Sequence, residues 1–185
     1  MITGPVRHWA ADLLHFWFHA LGPEQWFRRD DAVDAQLRRR FARQLGALSR
    51  QPASTFLCDH ATARAAVLLF DQCPRNLFRG QSRAFATDAL ARAICKGALQ
   101  RGWDRGLSRP GRQFLYMPLM HSEAIADQLL SLRLYGALGN SFILGFARDH
   151  AAMIARFGRF PHRNAVLGRV SSPSEQRAIA AGHAW

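Results

Sequence analysis

The sequence predicts an all-α protein made of antiparallel helix pairs, and three observations carry that expectation. Apolar residues recur at three- and four-residue spacing along most of the chain. No stretch of strand length alternates apolar and polar residues. The connections between helical stretches are mostly short, which favours neighbours that turn back on one another. At 185 residues, 49% apolar and 21% charged, the chain suits one domain, residues 1–185, with a single sizeable core under seven or eight helices.

The elements follow in order. Trp9, Leu13, Phe16 and Trp17 space a first helix from Val6 to Ala20, stopped by Gly22 and Pro23. Asp30 caps a second helix whose stripe is Val33, Leu37, Phe41 and Leu45, with Arg38, Arg39 and Arg43 on a solvated face. A loop around Pro52 leads to a third helix from near Asp59 to Cys73, ended by Pro74. This third helix is apolar on nearly all sides, so it is expected at the centre of the bundle. Thr87 caps a fourth helix carrying Leu90, Ile94 and Leu99, ending by Gly102. Ser108 and Pro110 open a fifth, in which Pro118 is expected to end or kink the helix and expose the segment His121-Ser122-Glu123. A sixth begins at Glu123 and runs through Leu129, Leu132 and Tyr135. A seventh runs from Ser141 to Phe157 with Phe142, Phe146, Met153 and Ile154 inward, and stops at Gly158. After a polar turn, Ser172, Pro173 and Glu175 supply cap, first-turn proline and capping-box partner for a short last helix.

Composition narrows the function classes. The formal charge is +12, and Lys96 is the one lysine among 25 basic residues. A field of that sign attracts polyanions, but the arginines are scattered along the chain without a nucleic-acid motif, so nucleic-acid binding is not favoured. Cys58, Cys73 and Cys95 are odd in number and widely spaced, which fits reduced, mostly buried thiols better than a disulfide framework or a cysteine zinc site. Arg7 and Asp12 interrupt the N-terminal apolar stretch, and nowhere do enough apolar residues run together to span a membrane. A cytoplasmic protein is expected, with no membrane association.

Three blocks stand out because polar residues interrupt strongly apolar sequence at helix ends: FDQCPRNLFRGQSRAFATD at 70–88, FLYMPLMHSEAIADQ at 114–128 and ARFGRFPHRNAVLGR at 155–169. Together, and in this order, they resemble the bacterial domain-of-unknown-function family 924, a likeness that extends to Trp17 and Trp26-Phe27 and covers nearly the whole chain. The resemblance implies a compact tetratricopeptide-like helical fold and no settled activity. The chain departs from the family pattern at two positions. Cys73 stands where a bulky apolar residue, usually Phe, is common, and Met120 stands where an acidic residue is common. The second departure removes a carboxylate from the candidate site.

Sites tend to sit on loops held by rigid helices. One cleft is expected to gather Asp71, Gln72, Arg75, Asn76, Arg79, His121, Ser122, Glu123, His162, Arg163 and Asn164, with Trp17, Trp26 and Phe160 as an apolar wall. His121 or His162 would act as general acid or base because imidazole titrates near neutrality, with Asp71 or Glu123 orienting it. Converging arginine forks favour a small anionic ligand, whether bound or transformed. The competing account is structural, with carboxylates and arginines pairing at helix ends to hold turns in place. No metal is expected, for want of a close His pair or an H-E-x-x-H segment. Ser122 lacks a nucleophile-elbow sequence, Cys73 is a candidate thiol only if exposed, and no cofactor fingerprint is present. A helical module that binds a protein or peptide partner is the alternative from a different class.

Overall fold

The computed structural model describes residues 7–182, all of whose regular structure is helical. The chain divides into two compact units, residues 1–79 with 83–115 and residues 80–82 with 116–185. The predicted start of the first helix at Val6 lies outside the described residues.

The first unit is built on α1 (His8–His15), α2 (Asp31–Leu48), α3 (His60–Val67), α4 (Cys73–Leu77) and α5 (Asp88–Gln100). It also holds the first seven residues of α6 (Arg109–Met120). Asp30 caps α2 by accepting from the Ala32 and Val33 amides at 2.9 and 3.2 Å, and Asp59 caps α3 by accepting from Thr62 N at 2.7 Å. The Asp30 cap is the one the sequence predicts, and α3 starts near Asp59 as expected. Phe16, Leu37, Phe41, Phe56, Leu68 and Phe70 form the core. Residues 65–74 are buried without a break, as the all-round apolar character of the third helix requires.

Pro74 does not end that helix. At Leu68–Gln72 the backbone widens into a π-helical turn, closed by Cys73 N–H donating to Leu68 O five residues back, and the chain continues helically to Leu77. The wider turn relieves the clash between a proline ring and the preceding turn that normally stops a helix. Pro74 still lacks the N–H that would serve Phe70 O in α geometry. The Thr87 hydroxyl supplies the missing donor at 2.6 Å. Thr87 therefore stands at the start of α5 without capping it through its side chain, because the hydroxyl is committed to Phe70. Thr87→Val, which keeps the shape and removes the donor, is expected to cost about 1–3 kcal/mol, while Thr87→Ser stays close to wild type. Chemical denaturation of the two variants checks this, and equal midpoints would show that the hydroxyl contributes nothing.

The second unit holds the end of α6, the pair α7 (Ile125–Ala137) and α8 (Ser141–Phe157), and α9 (Pro173–Ala180). Pro118 lies inside α6, which runs on to Met120. The following segment is not laid open: Ser122 is buried and the Gln128 side chain donates to Met120 O and Ser122 O at 2.7 and 2.6 Å. That amide does for the end of α6 what water would do for an exposed helix end. Glu123 precedes α7 instead of starting it. Asn140 caps α8, Gly158 ends it at φ 69°, and Ser172 with Glu175 forms the predicted capping box of α9. Met153 and Ile154 are buried as expected, whereas Leu129, Phe142 and Phe146 are exposed. Helical spacing placed Phe142 and Phe146 on the inward stripe with Met153 and Ile154, but α8 buries the neighbouring face, through Ala147, His150 and Ala151. Among the described residues no helix is long and apolar enough to cross a membrane.

Candidate functional site

In the first unit, the block at 70–88 is organised by carboxylates. Asp71, on the π-turn, is fully buried and accepts from Gln72 Nε2 at 2.6 Å. Arg75 lies 3.3 Å from the Asp71 carboxylate, donates to Asp71 O at 2.6 Å, and forms a two-pronged pair with Asp88 at 2.9 and 3.0 Å. Burial pushes the Arg75 pKa down, but Asp71 and Asp88 outweigh it and hold the guanidinium above its ordinary range. One turn further on, Asp34 of α2 accepts from Asn76 Nδ2 at 2.7 Å and from Arg79 Nε and Nη2 at 2.7 and 2.9 Å. Arg38 closes α4 by donating to Leu77 O at 3.0 Å. Arg75, Asn76 and Arg79 thus hold helix ends together through Asp88 and Asp34, two residues the sequence reading did not select. Asp34 carried a signal, since it sits beside the buried Val33 and Leu37 on a stripe where a carboxylate demands a partner.

Trp17 and Trp26 meet around Phe114 in the same unit. Trp26 Nε1 donates to Trp17 O at 2.8 Å, and both indoles approach the Phe114 ring edge-on, at 5.5 and 5.1 Å between centroids. A groove of about 170 Å³ opens elsewhere in the unit, lined in part by Leu45, Pro74, Phe78, Arg83 and Thr87, and none of the selected residues faces it. Cys73 is fully buried, and burial pushes its thiol far above the usual range, so it is no nucleophile at neutral pH.

In the second unit, Ser122 donates to Asp127 Oδ2 at 2.7 Å and accepts from Ala124 N, an arrangement that sets the start of α7. Glu123 accepts from Phe160 N at 2.8 Å and from both Arg169 Nη atoms at 2.8 and 3.0 Å, and Arg169 also donates to Phe160 O at 3.2 Å. The two side chains clamp the Phe160 backbone from both sides. Burial raises the Glu123 pKa, but the hydrogen bonds from Arg169 and Phe160 N prevail and hold it below the ordinary value. Asn164 donates to Ser171 Oγ at 3.0 Å, and Arg159 pairs with Glu175 at 2.6 and 2.9 Å.

The clamp presents Phe160, fully buried, to a set of cationic and titratable groups. The His150 ring lies 5.4 Å from Phe160, His162 5.7 Å from it on a tilted ring, and the Arg163 guanidinium 4.5 Å above it. His121 joins through His150, 6.0 Å away. His150 Nδ1 lies 2.8 Å from Phe146 O, so Nδ1 carries the proton and donates. Burial first, then the positive charge of His121, with lesser contributions from Arg163 and His162, outweigh the opposing hydrogen bond to Phe146 O and lower its pKa to about 3. His150 stays neutral at physiological pH. Sequence reasoning missed it, although its place on the buried face of α8 beside Ala147, Ala151 and Ile154 marked a histidine inside a core.

The sequence profile described as a bacterial protein of unknown function, DUF924, matches residues 13–183. A solved structure of a protein of unknown function from Agrobacterium tumefaciens is similar, with 40% sequence identity and a TM-score of 0.88 over 94% of this chain and 97% of that one. No curated protein matches the chain significantly.

Proposed function

The chain belongs to the bacterial family DUF924, and from that premise we propose that it binds a small anionic metabolite at the His121, His162 and Arg163 cluster of the second unit. The observation that carries the reading is the grouping of His162 and Arg163 against Phe160, with His121 joined to them through His150, whose pKa is lowered by burial first and then by the charge of these neighbours. An anion entering such a field gains charge-assisted hydrogen bonds from a planar guanidinium and from imidazole N–H groups. His121 and His162 are the groups suited to move a proton on that ligand. Asp71, Arg75, Asn76 and Arg79 enter the proposal as the scaffold of their block, because each is already engaged within the first unit.

A thermal-shift series with inorganic phosphate and small carboxylates tests the proposal. A ligand that binds only the folded state at a hundredfold excess over its Kd adds about 2.7 kcal/mol. For a chain of this size that is a rise of roughly 5–10 °C. His162→Gln and His121→Gln are expected to melt near wild type without the ligand and to lose most of the rise. No shift in the wild type with any of these anions, or an undiminished rise in both variants, defeats it.

A second reading, a helical module for a protein or peptide partner with tetratricopeptide-like pairing, draws support from the exposed Ile125 and Leu129 on α7 and Phe142 and Phe146 on α8. A cytoplasmic location is part of either proposal.

A further inference from the structure

Arg64 of α3 is a half-buried cation that meets no counter-charge among the described residues. No carboxylate among the described residues pairs with it, its Nε is buried and meets no acceptor, and burial pushes its pKa below the ordinary value. Arg40, Arg75 and Arg79 in the same unit are each paired with an aspartate. Removing a charge from water without a partner is unfavourable. Arg64 lies against the Phe18 ring, with the guanidinium carbon 5.3 Å from the ring centroid, and a cation over an aromatic face is held less strongly than one paired with a carboxylate.

The surroundings add a second component. Phe18 approaches Phe114 and Trp26 edge-on at 5.7 and 6.1 Å, and Phe27 stacks on Phe114 at 5.9 Å with an interplanar angle of 6° while 63% of its surface faces solvent. A second donor bordering the ring cluster, the buried Trp17 Nε1, also meets no acceptor.

We infer that Arg64 and the rings of Phe18, Trp26 and Phe27 form a binding site for a small aromatic carboxylate. The carboxylate supplies the counter-charge that Arg64 lacks in a two-pronged pair suited to a guanidinium, and the aromatic body packs on the half-buried Phe18 and Trp26 and the exposed Phe27. The site is independent of the imidazole cluster and uses none of its residues.

The test compares benzoate with benzamide, which keeps the ring and loses the charge, and with acetate, which keeps the charge and loses the ring. Binding is followed by tryptophan fluorescence and by the Nε–H signals of the arginines in a nitrogen-15 spectrum. Benzoate is expected to saturate and to bind at least about tenfold tighter than either control, since both components contribute. Arg64→Met is expected to lose that preference while melting at or above the wild-type temperature, because an unpaired charge has been replaced by an apolar side chain. Phe27→Ala, at an exposed position, is expected to weaken benzoate several-fold and leave melting unchanged. The inference is overturned if benzoate does not saturate, if Arg64→Met still prefers it, or if Arg64→Met melts well below wild type, which would mark Arg64 as a structural side chain.

Discussion

Arg75→Met lowers the melting temperature by about 10 °C. Removing one member of a buried ion pair leaves its partners charged and unmatched, at a cost of about 3–5 kcal/mol, and in a chain of this length each kcal/mol moves the midpoint by roughly 2–4 °C. Arg75 satisfies two partners at once, the fully buried Asp71 and the nearly buried Asp88, and also donates to the Asp71 carbonyl. Arg79→Met is the matched control, since it too breaks a two-pronged pair but at a side chain 37% exposed to solvent, so the loss is smaller. Calorimetry on the two variants decides the matter. If Arg75→Met melts with the wild type, Arg75 is not a staple and returns to the list of groups available to a ligand.

Glu123→Gln gives the second large effect, a loss of about 2–3 kcal/mol from weakened charge-assisted bonds to Arg169 and the Phe160 amide. It also flattens the acid limb of the stability curve. Glu123 titrates below its usual range, and Glu175, held by Arg159 first and then by the Ser172 amide, titrates at about 2. A carboxylate whose folded pKa is depressed contributes stability that is complete above the unfolded value near 4.5 and is lost as pH falls through the folded value. The wild type should therefore lose stability between about pH 4.5 and pH 2, with the Glu123 share of that loss missing in Glu123→Gln. Melting temperatures across that interval measure it, and parallel curves for the two proteins would sink the assignment.

The helices were largely legible from the chain because their signals are local. Periodic apolar residues marked α1, α2 and α8, and single side chains such as Asp30, Asp59 and the Ser172–Glu175 box act within one turn of where they stand. The three polar blocks also emerged as places where charge gathers. What the sequence did not reveal was how those groups are engaged. Asp34 meets Asn76 and Arg79 across more than forty positions, and Arg169 reaches back to Glu123 over a similar span. No periodicity encodes such a pairing. Pro74 is expected to end its helix on the α-helical clash alone, while the widened turn just before it and the Thr87 side-chain hydroxyl from further along the chain accommodate it. The recurrence of Asp-Gln at 71–72 and 127–128 likewise hides different tasks. Gln72 braces Asp71, whereas Gln128 closes α6 and Asp127 receives Ser122.

The widened turn at Leu68–Gln72 amounts to one residue more than ordinary winding would use. Each residue of an α-helix turns the chain by about 100°, so this extra residue sets the angular phase of everything between Cys73 and Leu77. In that phase Arg75 faces Asp88 and Asn76 faces Asp34. Excising a single residue from the turn would restore a regular helix while swinging both side chains about a quarter-turn away from their carboxylates. The irregularity is thus a phase setting for the polar block, and the helix gives up regular winding to keep it.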